Sequence, residues 1–90
     1  MNSKYALITG ASSGIGLEIA KSLAQRNFNL VLTARSNETL KKISNEISKK
    51  FSVKVDFMSS DLSEKEAPKQ LYDFCKNKGY QIEILVNNAG

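Results

Sequence analysis

Histidine is absent from this chain, and cysteine occurs once, as Cys75. A disulfide framework and any common Cys/His metal site are thereby excluded. No apolar run approaches the length needed to span a bilayer. The opening Met1-Asn2-Ser3-Lys4 enters a short apolar run within a few residues, without the charged-then-apolar layout of a signal peptide. Linkers, repeats and low-complexity segments are missing too. What remains is a single small domain of 90 residues, expected in the cytoplasm and with no membrane partner. Its apolar content of 41% and charged content of 24% are ordinary for a soluble globular chain.

The formal net charge is +4. A nucleic-acid partner would call for a concentrated basic patch. Here the lysines are spread out. Lys41, Lys42, Lys49 and Lys50 follow one helical stretch, and Lys65, Lys69, Lys76 and Lys78 follow another, with Glu38, Glu46, Glu64 and Glu66 among them. That mixture describes two solvated helix faces and no nucleic-acid partner. The mild positive field still favours an anionic small molecule.

Short apolar runs alternate with helical stripes. Tyr5 to Thr9 reads as a strand covered on both faces, and Leu30-Val31-Leu32 as a second. Between them Ile15, Ile19, Ala20, Leu23 and Ala24 recur at helical spacing, and Asn27 ends that segment. Ser36 is placed to cap a second helix with the stripe Leu40, Ile43 and Ile47. Val53, Val55 and Phe57 alternate as a third strand with one less covered side. Ser63 and Glu66 fit a capping box, but Pro68 disfavours a helix that starts there, so the main helix is expected to begin near Ala67. Leu71, Phe74 and Cys75 give its apolar face and Gly79 its stop. Ile82, Ile84, Leu85 and Val86 form a fourth strand. The order βαβαβαβ predicts an α/β, Rossmann-like parallel sheet with right-handed crossovers and strand order 3-2-1-4. Strand four is then a bare apolar edge. The isolated chain is accordingly expected to be marginally stable and insoluble unless paired.

Thr9-Gly10-Ala11-Ser12-Ser13-Gly14-Ile15-Gly16 sits where the first strand gives way to the first helix. The first N–H groups of a helix lack partners and carry the positive end of its dipole, so they suit a phosphate. Glycines let the backbone turn sharply and approach a pyrophosphate. The spacing Gly-x-x-x-Gly-x-Gly differs from the generic dinucleotide fingerprint, and no Gly-Lys-Ser/Thr of a P-loop follows. In the expected topology this loop and Asn87-Asn88-Ala89-Gly90 flank the crevice where the winding reverses.

These two segments, with Asp61-Leu62 after the third strand, resemble the N-terminal signatures of the short-chain dehydrogenase/reductase family, in the family's order and across all 90 residues. The resemblance implies that residues 1–90 form part of an NAD(P)-binding Rossmann domain whose C-terminal half is absent. By that resemblance Gly10, Ser12, Ser13, Gly14, Ile15 and Gly16 would cradle the pyrophosphate. Asp61, with Leu62, would serve the adenine pocket, and Asn88, Ala89 and Gly90 would pack against the adenosine ribose. Asn87 would tie the fourth strand into the sheet.

The second strand ends in Thr33-Ala34-Arg35-Ser36, where an acidic residue would select NAD through the ribose 2′-hydroxyl. Arg35 can instead grip a 2′-phosphate through its planar fork, with Ser36 as a second donor, so the expected cofactor is NADP in preference to NAD.

Tyr72 and Lys76 match the family's catalytic Tyr-x-x-x-Lys spacing. In the family that motif follows Asn-Asn-Ala-Gly; here the match precedes it, so neither residue is assigned a catalytic role. With the catalytic serine, tyrosine and lysine missing, the chain is expected to be the inactive N-terminal fragment of an NADP-dependent oxidoreductase. Its full-length form would transfer hydride between NADP(H) and a carbonyl or secondary alcohol. Full-length members are usually homo-oligomers. A non-catalytic nucleotide-binding or regulatory module is the alternative.

Overall fold

The computed structural model describes residues 4–12, 14–61 and 64–88. Its elements alternate as β1 (Lys4–Thr9), α1 (Gly14–Gln25), β2 (Asn29–Ala34), α2 (Asn37–Phe51), β3 (Val55–Ser59), α3 (Ala67–Asn77) and β4 (Gln81–Val86). The four strands form one sheet in the order β3-β2-β1-β4, and every pairing is parallel. Strand order and alternation both match the sequence expectation.

Period-two alternation divides the sheet's side chains between two layers. Ala6, Ile8, Leu30 and Leu32 face α1 and α2 and meet Ala20, Ala24, Leu40, Ile43 and Ile47. Tyr5, Leu7 and Val31 face α3 and meet Leu71 and Cys75. In β4 the alternation is broken. Tyr5 pairs with Ile82 but Ala6 pairs with Ile84, which leaves Glu83 as the extra residue of a bulge. The bulge puts Ile82 with the α3 layer, and Ile84 and Val86 with the α1 and α2 layer. Strand β4 is an edge strand. Its Leu85 is 64% exposed, beside a groove of about 710 Å³ that runs along α3.

Helix α2 begins at Ser36, whose side chain accepts from the Thr39 N–H, and ends at Ser52 in the left-handed conformation. Three sequence expectations shift. Ile15 is 70% exposed, because α1 packs through the small residues Gly16, Ala20 and Ala24 at four-residue spacing. Val53 precedes β3 and is buried beside α2. Glu66 stands at the N-cap of α3 itself and makes no side-chain cap bond, so it does not act three residues inside a capping box; Ser63 lies outside the described residues. Helix α3 starts at Ala67 with Pro68 in its first turn, where a missing N–H costs nothing.

Candidate functional site

All four strands point their carboxyl ends to one rim, and the turn after β1 is shaped there by glycine. Gly10 and Gly14 both have φ of 62°, a left-handed conformation that favours glycine. Between them Ala11 is fully buried, and its N–H donates to the Thr33 carbonyl at 3.2 Å, which ties the turn to β2. Ser12 is half-buried in the same turn. Helix α1 then starts with no acidic residue in its first turn, so nothing there opposes an anion at its positive end.

Gly16 serves a different purpose from Gly14. A Cβ at Gly14 would meet nothing within 4 Å, whereas one at Gly16 would press into the Gly10 carbonyl and lie 2.7 Å from Asn88 Nδ2. The glycine turn, the start of α1 and the residues after β4 therefore converge at Gly16. The two segments that the sequence placed on opposite sides of a crevice are in close contact at its base.

Thr9, the first residue of the glycine signature, holds that junction together, a role that sequence reasoning did not assign to it. It is 3% exposed, and its Oγ1 accepts from the Asn88 N–H at 2.7 Å. The same hydroxyl lies 3.3 Å from the Val86 carbonyl and 3.1 Å from Asn87 Oδ1, either of which can take its proton. This cross-strand tie fixes where Asn87 and Asn88 leave the sheet. The available signal was a single hydroxyl closing an otherwise apolar strand. Ser13, Leu62, Ala89 and Gly90 lie outside the described residues.

A second part of the rim lies between the ends of β2 and β3. Arg35, Ser59, Ser60, Asp61, Glu64, Ala67 and Gln70 line a cavity of about 370 Å³. Arg35 Nε stands 3.8 Å from Asp61 Oδ1, and their side chains are 79% and 38% exposed. An ion pair so long and so open to solvent contributes little and yields readily to a better partner. Ser36 is already engaged: its hydroxyl donates to Thr39 Oγ1 at 2.9 Å while accepting from the Thr39 N–H. Its service to an anion would require the proton to turn from Thr39.

Tyr72 is 65% exposed on α3, and Lys76 occupies the last turn of that helix. The chain beyond it reaches the opposite rim, where Lys78 Nζ approaches Asp56 near the start of β3 at 4.0 Å. Among the described residues no cluster of His, Cys, Asp or Glu could hold a metal ion, and no helix is long and apolar enough to cross a membrane.

Residues 4–90 match the family model for short chain dehydrogenase. Over 88 residues the chain is 41% identical to a very-long-chain 3-oxoacyl-CoA reductase of Candida glabrata, a match covering 96% of this chain and 24% of that protein. The solved structure of L-sorbose reductase from Gluconobacter frateurii, complexed with NADPH and L-sorbose, superposes with a TM-score of 0.92 at 37% identity, covering 97% of this chain and 33% of that one. A short-chain dehydrogenase from Sphingobium yanoikuyae in complex with NADPH superposes with a TM-score of 0.87 at 34% identity, over 97% of this chain and 34% of that one. The chain thus spans about a quarter to a third of the length of these proteins, matching their N-terminal portion. With its parallel sheet and its glycine turn joined to Asn88, the chain belongs to the short-chain dehydrogenase family.

Proposed function

We propose that this chain is the NADP(H)-holding portion of an oxidoreductase and prefers NADP to NAD. The observation that carries the reading is Arg35, which is largely exposed at the end of β2 and shares one cavity with Asp61. Where NAD would be held by a carboxylate, this chain offers a guanidinium fork suited to a 2′-phosphate. The donor set fits the rest of the molecule. The N-terminus of α1 with Gly10, Ser12, Ser13, Gly14, Ile15 and Gly16 would take the pyrophosphate. Asp61 with Leu62 would receive the adenine amino group, and Asn88 with Ala89 and Gly90 would pack on the adenosine ribose. Ser36 would become a second donor to the 2′-phosphate once released from Thr39.

The bound dinucleotide would supply a hydride, exchanged in the whole protein with a carbonyl or a secondary alcohol. The NADPH complexes of L-sorbose reductase and of the Sphingobium yanoikuyae dehydrogenase support this choice of cofactor. This chain's own contribution is binding and orientation. The 90 residues place no serine, tyrosine and lysine after Asn88, so no turnover is expected from them alone.

The test compares Arg35→Ala with the parent chain by titrating NADPH and NADH and following amide chemical shifts, which register weak binding and report folding in the same spectra. A hydrogen bond to a charged group contributes roughly 1.5–3 kcal/mol. Affinity for NADPH should therefore fall about ten- to a hundredfold, with NADH little changed. Equal loss for both cofactors would show that Arg35 does not read the 2′-phosphate.

A further inference from the structure

Arg35 is too exposed for packing to aim its side chain. Apart from the long ion pair to Asp61, what restrains it is the backbone that carries it. That backbone is held on both sides. Downstream, Ser36 has φ of −88° and ψ of 110° and caps α2. On the β3 side, two consecutive residues hold the carbonyls of the turn: the Ser60 N–H donates to the Ala34 carbonyl at 2.8 Å, and the Ser59 hydroxyl donates to the Arg35 carbonyl at 2.7 Å. The first of these ties is backbone to backbone. The second is a side-chain bond to the carbonyl of Arg35 itself, reaching it from a residue 24 positions away.

We infer that Ser59 is a positioning residue for cofactor selection, and this rests on the NADP reading above. By fixing the Arg35 carbonyl, its hydroxyl sets the point and direction from which the side chain starts across the cavity toward Asp61. A planar fork rewards a bidentate ligand only when its orientation is settled beforehand. Without the hydroxyl, the peptide after Arg35 gains freedom and the fork must be ordered at the moment of binding. NADH has no 2′-phosphate for the fork to hold, so its affinity is indifferent to that freedom. Ser59 lines the same cavity, but its proton is committed to the Arg35 carbonyl, so in this account it acts through Arg35.

The experiment titrates NADPH and NADH into the whole chain and its variants by amide chemical shift. Ser59→Ala should lower the ratio of NADPH to NADH affinity by about three- to tenfold, the effect of losing one ordinary hydrogen bond. Ser59→Thr, which keeps a hydroxyl and suits a strand end, should restore the parent ratio. In an Arg35→Ala background, Ser59→Ala should leave the ratio where Arg35→Ala put it. A parent-like ratio in Ser59→Ala, alongside a collapsed ratio in Arg35→Ala, overturns the positioning role and leaves the cofactor reading standing. So does a Ser59→Ala loss shared equally by both cofactors. An unchanged ratio in Arg35→Ala, or no response of the parent chain to either cofactor, removes both inferences together.

Discussion

The two ends of the sheet are built on opposite principles. At the amino ends of the strands the side chains satisfy one another. Tyr5 stacks on Tyr80 with ring centroids 4.1 Å apart, Phe74 meets Tyr80 edge-on at 6.4 Å, and the Tyr80 hydroxyl donates to Asp56, which Lys78 also approaches. At the carboxyl ends the backbone bends through two left-handed glycines, and Arg35 reaches its carboxylate only across a long, exposed gap. Large aromatic rings fill space and stabilise, while small residues with outward-facing donors leave room and affinity for a ligand. One sheet thus separates its stabilising cluster from its binding rim by the length of a strand. Substitutions at the two ends should separate in the same way.

The largest effect is expected at Gly16. An alanine Cβ there collides with the Gly10 carbonyl and with Asn88 Nδ2, and the first of these is backbone that cannot swing aside. Gly16→Ala should destabilise by about 3 kcal/mol, the upper range for overpacking a tight site, and should weaken NADPH and NADH alike because the crevice is pushed open. Gly14→Ala is the control. It has open space and suffers only from its positive φ, so about 1 kcal/mol is expected. Urea unfolding midpoints of the two variants measure the difference. Equal costs would mean that close packing at the rim is no more demanding than its backbone geometry.

Thr9 comes next. Thr9→Val keeps the shape but removes the acceptor of the Asn88 N–H and the donor aimed at Val86 and Asn87. Leaving a part-buried N–H without its partner should cost about 2 kcal/mol. The Asn88 amide should also exchange with solvent faster than in the parent chain, which hydrogen exchange can read. An unaltered Asn88 exchange rate would show that the junction does not depend on this hydroxyl.

How far the sequence reaches follows from the range of the interactions. Strand order was legible because apolar runs and helical stripes alternate locally and right-handed crossovers leave little choice. The pairing of the glycine turn with Asn88 was legible because that topology brings the ends of β1 and β4 together. Ile15 reads as part of the apolar stripe of α1 with Ala20 and Ala24, yet it stays exposed, because a helix lying close to a sheet buries its small residues Gly16, Ala20 and Ala24. The Thr9 tie, the bulge at Glu83 and the hold of Ser59 on Arg35 each join distant positions through one atom or one residue of register, which no local pattern encodes. The aromatic cluster was hidden for the same reason, since Tyr5, Asp56 and Tyr80 come from three separate parts of the chain.

The smallest effect at neutral pH is expected from that cluster, and it tests the separation of the two ends most directly. Burial first, and then the bond to Asp56, push the Tyr80 hydroxyl well above the ordinary tyrosine value of 10.0; burial also raises Tyr5. Both tyrosines therefore resist ionisation in the folded chain more than in the unfolded one. The stability this contributes is fully present below about pH 10 and is lost as pH rises from there toward the folded values. Burial raises the Cys75 thiol above its ordinary value of 9.0 as well, so unfolding free energy should decline from about pH 9 and more steeply above about pH 10. Tyr80→Phe removes the hydroxyl, so the decline should become shallower, with Tyr5 and Cys75 left to supply what remains. At neutral pH the same variant should cost about 1 kcal/mol, a single partly exposed hydrogen bond to a carboxylate. Its NADPH affinity should equal that of the parent chain, because no part of the carboxyl-end rim rests on the Tyr80 hydroxyl. Urea unfolding from pH 7 to 11 and an NADPH titration at pH 7 measure the two halves. A changed affinity would show that the aromatic end supports the binding rim through the strands, and the division of labour along the sheet would then fail.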